Sequence, residues 1–225
     1  MRVPGGARVP DSVGDLVDRA IAVYRSYAEP AGLLAEISLD VFAALYEGEG
    51  GNAPDTPLEH VFKKADTLAV FALTLGNRIS EKINRLAVSK DIALAGTLDA
   101  TASVAADAGA AYCEQLFFEG LPRKVKIAGE VHVLSYSPGY CGWHVSGQKQ
   151  LFRFLKPEQV GIELNEQYLM TPIKSVSGVL VAGAGEVHYF EPRWSFCETC
   201  TTHACLTRMK RVKHAAEYGG DDGRR

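Results

Sequence analysis

A chain of 225 residues, 47% hydrophobic and 23% charged, can bury a core of its own and has the balance of a soluble globular protein. Its net charge of −3 gives no electrostatic case for a nucleic-acid or anionic-membrane partner. No stretch reaches the roughly 18 consecutive apolar residues of a membrane span. Met1 to Pro10 has two arginines but no apolar run of a secretory signal. The expected compartment is therefore the cytoplasm, where thiols are reduced, and the five cysteines read as thiols or metal ligands rather than disulfides.

In chain order, Asp11 or Ser12 is placed to cap a helix carrying Leu16, Ala20, Val23 and Tyr27 on one face, which Pro30 ends. A second helix is expected to carry Leu33, Leu34, Ile37, Val41, Leu45 and Tyr46, followed by a Gly-rich loop from Glu47 to Pro54. Thr67 to Leu75 has the length and apolar continuity of a buried strand. Ile79, Ile83 and Leu86 then recur at helical spacing, and Asp91 to Leu116 is a long alanine-rich helix whose small residues imply close packing. Beyond Gly129, Val131–Tyr136, Val160–Leu164, Ser175–Ala182 and Val187–Phe190 read as strands, with a short helix over Ser146–Leu155. A helical first half and a strand-rich second half predict an α+β fold with antiparallel pairing, not a βαβ repeat.

Three segments carry a resemblance. Thr74-Leu75-Gly76 precedes a helix and then Gly96-Thr97-Leu98-Asp99-Ala100. Ser137-Pro138-Gly139-Tyr140-Cys141-Gly142-Trp143 precedes Gln148 and Leu151-Phe152. Gly161-Ile162-Glu163-Leu164-Asn165-Glu166 precedes Met170, Pro172 and Lys174-Ser175-Val176-Ser177-Gly178. In this order they resemble the reactivation domain of cobalamin-dependent methionine synthase and its free-standing homologues, over residues 60 to 190. The resemblance implies a helical N-terminal half packed on a twisted, mainly antiparallel sheet. It divides the chain into an N-terminal helical segment (1–58), an activation-domain-like core (59–192) and a cysteine-rich tail (193–225). It also implies a reactivation factor that positions S-adenosylmethionine for reductive methylation of oxidised cobalamin. The cobalamin would be carried by a separate corrinoid methyltransferase, because no D-x-H-x-x-G segment is present here, and a reductase would supply the electron.

Pro138-Gly139 is a turn dipeptide that exposes backbone groups at a strand end, and Tyr140 adds an aromatic face and a hydroxyl. The resemblance assigns ligand contacts to Ser137, Gly139 and Tyr140, and an acidic helix contact to Asp107. It also exposes a departure. The family's arginine, five residues before the tyrosine, would pair with the ligand carboxylate, and Ser135 stands there instead. Arg123, Lys124 and Lys126 are the nearest upstream cations. The serines of Ser175-Val176-Ser177 read as structural.

Cys197, Cys200 and Cys205 form a C-x-x-C-x-x-x-x-C run, in which two thiolates can chelate one centre and a third can close from the next turn. Cys141 follows the loop tyrosine and is the candidate fourth ligand if the tail folds back, a joint site that the free-standing homologues favour. Four thiolates suit an iron–sulfur cluster or zinc, with His203 as an alternative ligand and uncoordinated thiols as the plain alternative. Cys113, in the alanine-rich helix, reads as a core thiol. A second function hypothesis follows: a metal–thiolate protein that keeps the fold, has lost S-adenosylmethionine, and serves electron transfer or docking to a corrinoid protein.

Overall fold

The computed structural model describes residues 10–121 and 131–188. Helix α1 (Asp11–Tyr27) starts directly after Pro10 without a side-chain cap, so the expected capping by Asp11 or Ser12 is not made. Strand β1 (Ala31–Ile37) follows, then α2 (Leu39–Glu47) and α3 (Pro57–Phe62). Strand β2 (Thr67–Thr74) leads through Gly76 into α4 (Asn77–Val88) and the long α5 (Ile92–Gly120). Strand β3 (Val131–Tyr136), helix α6 (Gly147–Leu155), the two-residue strands β4 (Glu163–Leu164) and β5 (Met170–Thr171), and β6 (Ser175–Ala184) complete the described elements.

The helix expected over residues 33 to 46 is corrected. Its first part is β1, which pairs residue for residue with β2 from Ala31–Thr74 to Ile37–Leu68. Ser38 then accepts the Val41 N–H and starts α2. Leu33, Leu34 and Ile37 fit a helical period, but a vacant edge on β2 offers seven residues of ladder, and tertiary pairing overrides the local pattern. Two other strands are also corrected. Pro157–Val160 is a 3₁₀ turn closed by Gly161 at φ +74°, which leaves strand only at Glu163–Leu164. Gly185–His188 is likewise a 3₁₀ turn that tucks Val187 and His188 into the interior instead of extending the sheet.

The main sheet has the order β1-β2-β6-β3, antiparallel throughout. One face is covered by α2, α3 and α6 around Phe42, Tyr46, Phe62 and Trp143. Phe42 meets Phe62 and Trp143 edge-on at 5.1 and 5.6 Å, the geometry that aromatic quadrupoles favour. The other face carries α5, with α1 and α4 packed against it through Ala20, Ile79, Leu98 and Ala102. The close approach expected of the alanine-rich helix is present: a Cβ on Gly109 would lie 3.1 Å from Leu73 Cδ1. The result is the α+β architecture expected, with one strand more than the helical N-terminal half allowed for. Among the described residues, no helix is long and apolar enough to cross a membrane.

Candidate functional site

Among the described strands β3 lies at an edge of the sheet, and its C-terminal end launches the loop Ser137–Trp143. The loop is held by its own backbone. Tyr140 N–H donates to Ser137 C=O at 3.2 Å, Gly139 N–H to Trp143 C=O at 2.7 Å, and Trp143 N–H to Tyr140 C=O at 3.0 Å. Gly139 and Gly142 take φ of +92° and +80°, a region that glycine enters at little cost. Cys141 shares the left-handed region at +51°, and its carbonyl accepts Leu58 N–H. The loop therefore presents an exposed Gly139 and a Tyr140 that is 49% exposed, above a fixed base.

That base explains several residues of the sequence motifs. Trp143 is buried against Phe42 and Tyr46, and a Cβ on Gly147 would come within 2.1 Å of its indole nitrogen. A Cβ on Gly178 would lie 2.2 Å from Tyr136 O, so β6 needs glycine where the chain leaves β3. Ser177 Oγ donates to Gln148 Oε1 at 2.6 Å, and Ser175 Oγ to Pro172 C=O at 2.6 Å, so both serines are spent on structure as expected. From the other side, Asn52 of the Gly-rich loop accepts His144 N–H at 2.8 Å and donates to Tyr46 C=O at 2.6 Å. Lys149 of α6 pairs with Glu49. The Tyr46 hydroxyl is hydrogen-bonded to Thr56, and burial pushes the phenol up from its ordinary pKa. Tyr136 donates or accepts at His188 Nδ1 at 3.1 Å, and His188 is fully buried.

Ser135, at the position of the expected arginine, is buried, and its backbone N–H donates to Glu114 Oε1 at 2.8 Å. Asp107, the residue assigned to ligand contact, is exposed on α5, seven residues and so about 10 Å along the helix from Glu114. Glu114 was not foreseen. A signal was present: it lies between Cys113 and Phe117, on the turn of α5 that packs against the sheet. The loop amides at Gly139 and Tyr140 are already bonded, as are the Ser137, Tyr140, Cys141 and Trp143 carbonyls, leaving the Ser137 hydroxyl, the Gly139 carbonyl and the Tyr140 ring to meet a ligand.

The described cysteines are Cys113 and Cys141, both half-buried. Cys113 packs beside Phe117, and burial pushes its thiol up, with the Glu114 charge adding to the shift. Cys141 packs against the aromatic core near Tyr46. Cys197, Cys200, Cys205 and His203 lie outside the described residues, as do Arg123, Lys124 and Lys126. Among the described residues, no group of three His, Cys, Asp or Glu side chains could hold a metal.

The family model for the vitamin B12 dependent methionine synthase activation domain matches residues 58–193. The chain belongs to this family. A crystal structure of the MetH reactivation domain bound to AdoHcy aligns with a TM-score of 0.54 and 16% identity, covering 80% of this chain and 69% of that one. This likeness shows a shared fold. No curated protein matches. Within the activation-domain fold, the Ser137–Trp143 loop thus sits at the end of an edge strand, braced by α6, β6 and the Gly-rich loop.

Proposed function

We propose that this activation-domain protein serves in trans as a reactivation factor for a corrinoid-dependent methyltransferase of the methionine synthase type. The observation that carries the reading is the loop: a rigid turn, braced from below by Trp143, Gly147 and Gln148, that offers Tyr140 and Gly139 to a partner. S-adenosylmethionine, when bound, supplies a methyl group; the cobalamin stays on the partner. The Tyr140 face and the Gly139 carbonyl suit the adenosyl part of such a ligand. Ser135 offers the carboxylate end no cation, being buried with its N–H held by a carboxylate.

That last observation favours a second reading, in which docking on a corrinoid protein is retained and S-adenosylmethionine is not bound. A thiolate centre, iron–sulfur or zinc, built from Cys141 with Cys197, Cys200 and Cys205, belongs to either reading and would serve electron relay or structure respectively. Calorimetric titration of anaerobically purified protein with S-adenosylmethionine, alongside Tyr140→Ala, separates the two. Binding that Tyr140→Ala abolishes supports the first. No heat in either, with retained binding to a cobalamin domain, supports the second. Failure of both assays would remove the corrinoid assignment itself.

A further inference from the structure

Among the described strands, β1 and β3 are the two edges of the main sheet, and the molecule treats them differently. On β3, Glu114 takes the Ser135 N–H. On β1, which pairs on one side with β2, no described residue hydrogen-bonds to the outward backbone groups of Ala31–Ile37. The Pro157–Val160 turn packs beside the strand without bonding to its backbone. Of the devices that usually blunt an edge, that turn and the charge of Glu36 are present and the others are missing. The strand contains no Pro, Lys or Arg, and its one-to-one register with β2 leaves no bulge.

We infer that this edge is closed by a second copy of the chain, β1 antiparallel to β1 about a two-fold axis at Leu34. An occupant must offer a row of backbone donors and acceptors, and two-fold symmetry makes an antiparallel strand its own complement. The side chains agree. About that axis Leu34 meets Leu34, Leu33 meets Ala35, and Gly32 meets Glu36 of the second copy. Away from the axis large residues face small ones, and the single charge of the strand faces glycine rather than another carboxylate. Leu34 is 38% exposed at the centre, and Leu39 and Val41, at the start of α2, add exposed apolar surface beside the strand end. Seven residues at about 3.3 Å each give an edge well short of the roughly 800 Å² per partner of a standard interface, so the dimer is weak and concentration-dependent.

The test is sedimentation velocity of the full chain from about 1 to about 200 µM, with amide deuterium exchange at both ends of the range. The dimer predicts sedimentation that rises with concentration, together with added protection confined to 31–37. Leu34→Lys and Leu34→Glu each place like charges across the axis and raise the dissociation constant by at least about tenfold, and an equimolar mixture of the two restores association. Circular dichroism checks that the variants fold. If one does not, the exchange measurement on the unaltered chain decides alone. A monomer across the whole range, or a dimer without new protection at 31–37, overturns the inference. So does a dimer indifferent to both charges, or folded charge variants whose mixture stays monomeric.

Discussion

Glu114 Oε1 lies 2.8 Å from the backbone nitrogen of Ser135, joining the long helix α5 to the edge strand that launches the Ser137–Trp143 loop. A strand edge normally leaves such an amide to solvent or to another strand. Here Ser135 is buried, so the carboxylate replaces water. Glu114→Ala removes that acceptor and is expected to cost about 1–3 kcal/mol, the range for a buried donor left without its partner. Glu114→Gln keeps an acceptor oxygen and is expected to cost less. Urea unfolding of the two variants checks the order; equal losses would mean that the contact contributes through packing alone.

The glycines beneath the loop give a sharper expectation. In Gly178→Ala the new methyl would sit 2.2 Å from Tyr136 O, a backbone atom with no rotamer to change. In Gly147→Ala it would sit 2.1 Å from Trp143 Nε1 inside a packed aromatic cluster. Each is expected to destabilise by about 3 kcal/mol through overpacking. The Trp143 environment should change with Gly147→Ala, read as altered tryptophan fluorescence. Gly14, which has no neighbour within 4 Å of an added Cβ, is the control, and Gly14→Ala should leave stability unchanged or slightly raised.

Stability should also depend on alkaline pH. Burial pushes the Cys113 thiol up, and likewise the Tyr46 phenol. On unfolding, both groups return to their ordinary values and release protons earlier than in the folded chain. Stability from these groups is therefore fully present below the ordinary thiol range and falls as pH rises through it, then falls again in the phenol range. Urea midpoints measured from pH 7 to about pH 10 check the slope. Cys113→Ala should flatten its first part.

The turn of the candidate loop was legible because turn chemistry is local. Pro138-Gly139 reads as a turn from the dipeptide alone, whereas the need for glycine at Gly147 and Gly178 shows only once Trp143 and Tyr136 are in place. What was not legible depends on partners distant in the chain. Ala31–Ile37 reads as helix from its own spacing, and β2 alone makes it a strand. Glu114 is one of four carboxylates on α5, and which one meets β3 is set by the packing phase of a 29-residue helix. Asp99 shows the same logic from the other direction. Its ion pair with Lys174, at 2.8 Å, joins two motif segments that the sequence holds far apart.

Cys141 is held by its backbone. Its left-handed φ and the Leu58 N–H on its carbonyl hold the Cα in place whatever the side chain, so Cys141→Ser should keep the loop and remove the thiolate. If Cys141 completes a centre with Cys197, Cys200 and Cys205, the anaerobically purified variant should lose most of its bound metal while its circular dichroism stays unchanged. Cys200→Ser should do the same, and Cys113→Ser should not, because that thiol packs against the opposite face of the sheet. Elemental analysis for iron and zinc, with sulfide determination, distinguishes the two centres. Iron with matching sulfide and a brown colour supports electron relay, and colourless zinc protein supports a structural clamp between the tail and the loop. Metal retained in Cys141→Ser at the wild-type level would place the fourth ligand elsewhere and separate the thiolate centre from the Tyr140 loop.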